Sequence, residues 1–144
     1  MRIERTLLWL CAVGMSACAA PAGGPAQASA SAASLAGTRW LGVIDASVDS
    51  RSTPWLEFLA EGRMSGFTGC NLLNGGWKIE GGQVRIGPLA MTKRACLGPA
   101  GDIERRVLAS LNDQARVSRE GAKLVMVGPS GERFEFTEVA STPR

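Results

Sequence analysis

From about residue 38 onward, apolar and polar residues alternate along most of the chain. In Arg133–Val139, Phe134 and Phe136 alternate with Arg133 and Glu135, the spacing of a strand with one dry face and one wet face. The same period predicts strands at Thr38–Ile44, Trp55–Ala60, Arg63–Thr68, Gly76–Glu80, Gln83–Gly87, Leu89–Arg94, Ala115–Glu120 and Lys123–Gly128. Glycine-bearing links at Ala60–Arg63, Glu80–Gln83, Glu120–Lys123 and Pro129–Glu132 read as hairpin turns, so the chain is largely a meander. One segment changes period: in "PAGDIERRVLASLND", Ile103, Val107, Leu108 and Leu111 fall on one helical face and Glu104, Arg105 and Arg106 fall elsewhere, with Asp102 as the expected N-cap. Eight or nine short strands and one helix predict a mainly β (α+β) domain. The expected form is a small curled antiparallel sheet or partly open β-barrel of about eight strands with the helix packed against it, because curling limits exposed edges. An open sandwich is the alternative.

The first 34 residues carry a different pattern. "MRIERTLLWLCAVGMSAC" has basic Arg2 and Arg5, an apolar run from Leu7 to Met15, and small Ser16 and Ala17 before Cys18. This is the layout of a secretory signal peptide, expected over residues 1–17, and the run is too short to span a bilayer as a mature helix. "MSAC" resembles the lipobox of bacterial lipoproteins, with Met15 where leucine is usual, and makes Cys18 the expected lipidation site. A plain signal peptide releasing a secreted protein is the alternative. Cys11 lies within the discarded run. The following Ala, Pro, Gly and Ser residues offer almost nothing to bury and read as a tether over residues 18–35, ahead of a domain at 36–140 and a disordered tail at 141–144. Ala19 after the lipid cysteine resembles lipoproteins sent to the outer membrane, which places the domain in the periplasm of a Gram-negative host.

Composition removes several classes of chemistry. The chain contains no histidine, which eliminates Ser/His/Asp and Cys/His catalytic sites and the commonest transition-metal ligand. The net charge of +3 is scattered, with no basic run that would mark a nucleic-acid partner. No cofactor or metal site is expected.

Beyond the leader only Cys70 and Cys96 remain. In an exported domain an even pair favours a disulfide, with two buried free thiols as the other reading. A redox pair is normally Cys-x-x-Cys, a zinc site needs further ligands, and a nucleophilic Cys70 lacks the usual base. Lys93 and Arg94 stand close to Cys96 and read as an exposed pair, or as a receiver for an acidic partner.

Gly62 to Cys96, "GRMSGFTGCNLLNGGWKIEGGQVRIGPLAMTKRAC", resembles the core of the META domain family, which includes the heat-shock-inducible HslJ-like lipoproteins. The residues that carry the resemblance are Gly66, Gly69, Cys70, Asn71, Gly75, Thr92 and Cys96, with Trp40 in "GTRWLG" matching the family's first strand and Ile103–Leu111 its helix. Leu72 and Leu73 replace frequent aromatic residues, and Trp77 a frequent tyrosine. The resemblance implies a curled sheet with a packed helix, no established catalytic residues, and an envelope role linked to stress or antibiotic tolerance.

Three functions follow as expectations. The first is a non-enzymatic, monomeric envelope lipoprotein, anchored to the membrane by lipid, that binds an unidentified envelope protein or stabilises the envelope. The second is a carrier of a lipid or other apolar ligand between sheet and helix, in a cavity lined by Trp40, Trp55, Phe58, Phe67, Trp77 and Met91. The third is an enzyme using Glu57 with Glu61, or Asp45 with Asp49, as an acid/base pair, which requires a shared cleft and a raised pKa.

Overall fold

A computed structural model describes residues 35–140; the leader, Cys18, most of the tether and the tail lie outside the described residues. The order is β1 (Thr38–Gly42), β2 (Trp55–Phe58), β3 (Arg63–Phe67), β4 (Leu72–Glu80), β5 (Gln83–Met91), α1 (Pro99–Ser110), β6 (Arg116–Glu120), β7 (Lys123–Val127) and β8 (Arg133–Val139). All eight strands form one antiparallel sheet in the order β5-β4-β3-β2-β1-β8-β7-β6. Its outermost strands, β5 and β6, curl towards each other without forming a hydrogen-bonded ladder, which makes the sheet a partly open barrel.

Alternation decides what lies inside. Trp40, Leu56, Phe58, Met64, Leu73, Trp77, Val84 and Ile86 from the first five strands, and Val117, Leu124, Met126, Phe134 and Phe136 from the last three, are buried on the concave face. Phe58 and Trp77 meet edge to face at 5.4 Å between ring centres, the arrangement that ring quadrupoles favour. The Trp77 indole N–H donates to the Arg63 carbonyl at 2.9 Å, and that of Trp40 to Thr38 Oγ1 at 2.7 Å, so neither polar tip is stranded. Leu35 is also fully buried, so the core begins at the first described residue.

Three of the expected strands differ from those observed. Gln83–Gly87 and Leu89–Arg94 are one strand up to Met91, because Pro88 occupies a position that needs no donor on the edge of the sheet. β4 begins at Leu72, four residues before the alternation becomes legible, since the apolar Leu72 points outward and breaks the pattern. The β4–β5 link is a two-residue turn in which Gly81 and Gly82 have φ of 59° and 76°, the left-handed pair that matches strand twist.

The helix covers one side of the curl with Ile103, Val107 and Leu111 buried; Leu108 is only half-buried and Ser110 is buried in its place. Asp102 is not the N-cap. Gly98 occupies that position with φ 64°, Pro99 opens the helix, and Asp102 lies in the first turn paired with Arg105. Its charge still suits the positive end of the helix dipole. The far end of α1 touches the β7–β8 turn so closely that a Cβ on Gly128 would lie 1.9 Å from the Ala109 carbonyl oxygen. Replacing Gly128 with alanine is therefore expected to lower stability by about 2–3 kcal/mol, read as a lower denaturation midpoint at unchanged slope.

Candidate functional site at the Gly-Cys-Asn turn

Between β3 and β4 the chain turns through Thr68–Asn71, and all four residues are buried. The turn closes on itself: Thr68 N–H donates to the Asn71 carbonyl at 2.9 Å, and Asn71 N–H donates to Thr68 Oγ1 at 2.9 Å. Gly69 has φ 101°, and a Cβ there would lie 2.9 Å from both Ile103 Cγ2 and the Ser52 carbonyl oxygen. Only glycine lets this turn approach α1 and the Ser50–Ser52 turn together.

Asn71 is the hub. Its Oδ1 accepts from Thr92 Oγ1 at 2.8 Å and from the Arg94 backbone N–H at 2.7 Å. Its Nδ2 donates to the Arg94 carbonyl at 3.0 Å and to Glu104 Oε1 at 2.8 Å. An amide has two donors and two principal acceptor directions, and here all are used. Thr92 Oγ1 accepts from Leu72 N–H at 3.1 Å, and Glu104 Oε1 also lies 2.9 Å from Thr68 Oγ1. One side chain thus ties the end of β3, the start of β4, the segment after β5 and the helix. Among the described residues no buried side-chain polar atom is left without a partner.

Cys70 and Cys96 are joined by a disulfide, with Cα atoms 6.0 Å apart. It fastens covalently the same segment that Asn71 holds by hydrogen bonds. Cys70 is buried, and its sulfur, being bonded, is no nucleophile. The remaining family-motif residues are placed around this turn: Gly66 is buried on β3, Gly75 lies beside the β4–β5 irregularity, and Trp40 is in the core on β1. Glu104 was missed by sequence reasoning, which set it on the wet side of the helix. It sits one residue from Ile103, at the margin of the buried stripe, and no linear pattern links it to a turn more than thirty residues earlier.

The aromatic lining expected for a carrier does not converge. Trp40, Phe58 and Trp77 fill the core, whereas Trp55 and Phe67 are half-buried on the convex face and Met91 is exposed. A crevice of about 620 Å³, lined by Gly62, Trp77, Lys78, Glu80, Arg85, Ile86, Pro88 and Asp113 among others, lies against β4 and β5 and opens to solvent, so it is not a cavity enclosed between sheet and helix. Of the expected acid/base pairs, Asp45 and Asp49 line different crevices. Asp45 is held below its ordinary pKa by hydrogen bonds from Ser47, and Asp49 is lowered to about 2 by hydrogen bonds from Arg51, whereas a general acid needs the opposite shift. Glu61 sits exposed in the β2–β3 link with φ 62°, and Glu57 is half-buried on β2. Among the described residues no group of three or more His, Cys, Asp or Glu is placed to hold a metal, and no helix is long and apolar enough to cross a membrane.

A curled eight-stranded sheet, one covering helix and a saturated polar junction stapled by a disulfide define a small β-domain whose most distinctive residues hold the fold. The sequence matches the META domain over residues 33–141, and the chain belongs to that family, which is not a known enzyme family. Two solved structures share the fold. One is an NMR structure of a protein from Burkholderia xenovorans, 24% identical, with a TM-score of 0.57 over 74% of this chain and 84% of that one. The other is also an NMR structure, 18% identical, with a TM-score of 0.56 over 70% of this chain and 88% of that one. No curated protein matches.

Two outcomes test the junction. Asn71→Asp removes two donors and sets a second carboxylate against Glu104, so it is expected to cost about 3 kcal/mol or more at neutral pH. Combining it with Glu104→Gln restores a donor, and the double variant should recover much of the loss in a double-mutant cycle. Separately, a 26-residue separation predicts that removing the disulfide with paired Cys70→Ser and Cys96→Ser lowers unfolding free energy by up to about 3.5 kcal/mol, measurable by urea titration.

Proposed function

We propose that this META domain is the exported part of a lipid-anchored protein of the bacterial envelope, facing the periplasm from the outer membrane, and that it works by binding rather than by catalysis. The setting is the envelope stability under stress or antibiotic exposure that the family resemblance implies. The observation that carries the reading is the Cys70–Cys96 disulfide, which belongs to oxidising compartments, in a chain that carries the lipobox-like "MSAC" where the expected leader 1–17 meets Cys18. The lipobox-like Cys18 and the Ala- and Pro-rich segment after it supply an anchor and a tether. The filled concave face supports binding through the outer surface in preference to carrying a ligand inside.

The test is intact mass of the protein from the membrane fraction of its host, with and without reduction and thiol alkylation. A chain starting at Cys18 with a lipid-sized increment, alkylated at Cys70 and Cys96 only after reduction, is the expected result. An unlipidated chain with both thiols free refutes the reading.

A further inference from the structure

The described residues leave four large apolar side chains strongly exposed: Leu97 at 93%, Val43 at 55%, Leu72 at 52% and Met91 at 39%. Their distribution is not random. Val43 follows the end of β1, Leu72 opens β4, and Met91 closes β5, and antiparallel pairing brings these three points to the same end of the sheet. Leu97 joins them because Cys96, its neighbour, is bonded to Cys70, two residues from Leu72. Leu72 points to the convex side and Met91, paired with the buried Leu73, to the concave side, so these apolar residues stand along the rim at this end of the sheet rather than on one face, and exposed apolar residues gathered on one rim call for an explanation that single ones do not.

The segment that carries Met91 and Leu97 is also held still. Asn71 grips the Arg94 backbone on both sides, Thr92 is bonded to Leu72 through backbone and side chain, and the disulfide closes the far end. Leu97 is therefore displayed next to a cross-linked backbone, which lowers the ordering cost on contact. Between Met91 and Leu97 stand Lys93 and Arg94, both exposed and, among the described residues, neither in an ion pair. The carboxylates at this end are each engaged: Asp45 by Ser47 and Asp49 by Arg51 on the β1–β2 connection, Glu104 by Asn71 and Thr68, and Asp102 by Arg105. Exposed leucine and methionine flanking two free cations is the composition of a surface that enters the headgroup region of an anionic bilayer.

The geometry points to this disulfide-pinned end, Leu72 with Met91–Leu97, as a membrane-docking surface that seats the domain on an anionic lipid bilayer. The inference rests on the lipid-anchor reading only for the supply of a nearby bilayer. Residues 19–34 reach at most about 55 Å at roughly 3.5 Å per residue. A domain of this size is roughly 35 Å across. The tether, joined at the opposite end of β1, is thus long enough to let the apolar end turn down and short enough to keep it near the lipid, so weak docking suffices.

The experiment uses the full mature chain with Cys18→Ser, which carries no lipid, in flotation with neutral phosphatidylcholine vesicles and with vesicles about one third phosphatidylglycerol. Binding to the anionic vesicles, weakened by salt and reduced roughly tenfold by Leu97→Asp or by Lys93→Ala with Arg94→Ala, is expected. Since these side chains are exposed, circular dichroism should be unchanged. In cells, a photoreactive residue in place of Leu97 should crosslink to phospholipid. Absence of vesicle binding, binding indifferent to Leu97→Asp, or crosslinks to protein alone would overturn the docking surface. Failure of the anchor is seen separately, as a wild-type chain of unlipidated mass that still floats with vesicles.

Discussion

The side-chain amide of Asn71 is the constraint on which the shape of this domain depends. A buried amide is expensive to leave partly satisfied, because each unmet donor or acceptor has lost its water without replacement. Here satisfaction requires four hydrogen bonds at once, three to Thr92 and Arg94 of the β5–α1 segment and one to Glu104 of the helix. The helix cannot slide along the sheet without stranding Glu104, and the segment cannot lift without stranding Asn71. The hydrophobic core fills the curl but is tolerant of small shifts; the polar junction is not.

Much of the fold was legible in the sequence because period two and period 3.6 report directly on which face is dry. Phe134 and Phe136 in β8, and Ile103, Val107 and Leu111 in α1, are examples where pattern and burial coincide. The errors fall where another demand overrides the pattern. Leu72 faces outward because its position is fixed by pairing with Phe67, and Asp102 yields the cap to Gly98 because only a left-handed residue turns the chain into α1 there. The site was half legible. Cysteine arithmetic pointed to Cys70 and Cys96, and the glycines around Cys70 signalled tight backbone, but the roles of Asn71 and Glu104 depend on a meeting between turn and helix that no linear spacing encodes.

That meeting also recasts the family motif. Gly-Cys-Asn with a later Thr and Cys has the look of a reactive loop, yet each residue is accounted for by closure: glycine for approach, cysteine for the staple, asparagine and threonine for the hydrogen bonds. Function is then free to reside on the exposed surface, where side chains are not committed to holding the fold.

The position of β8 has a consequence for how the chain must assemble. It pairs with β1 near the middle of the sheet, so β1–β5 and β6–β8 are two meanders joined only when the last strand reaches the first. Both cysteines, Asn71, Thr92 and Glu104 precede β6. Their closure can be completed on an N-terminal fragment before β6–β8 are in place, whereas the barrel itself waits for the final residues. Such long-range pairing is slow to form, so the polar junction and its disulfide can be set while the two halves of the sheet are still unjoined.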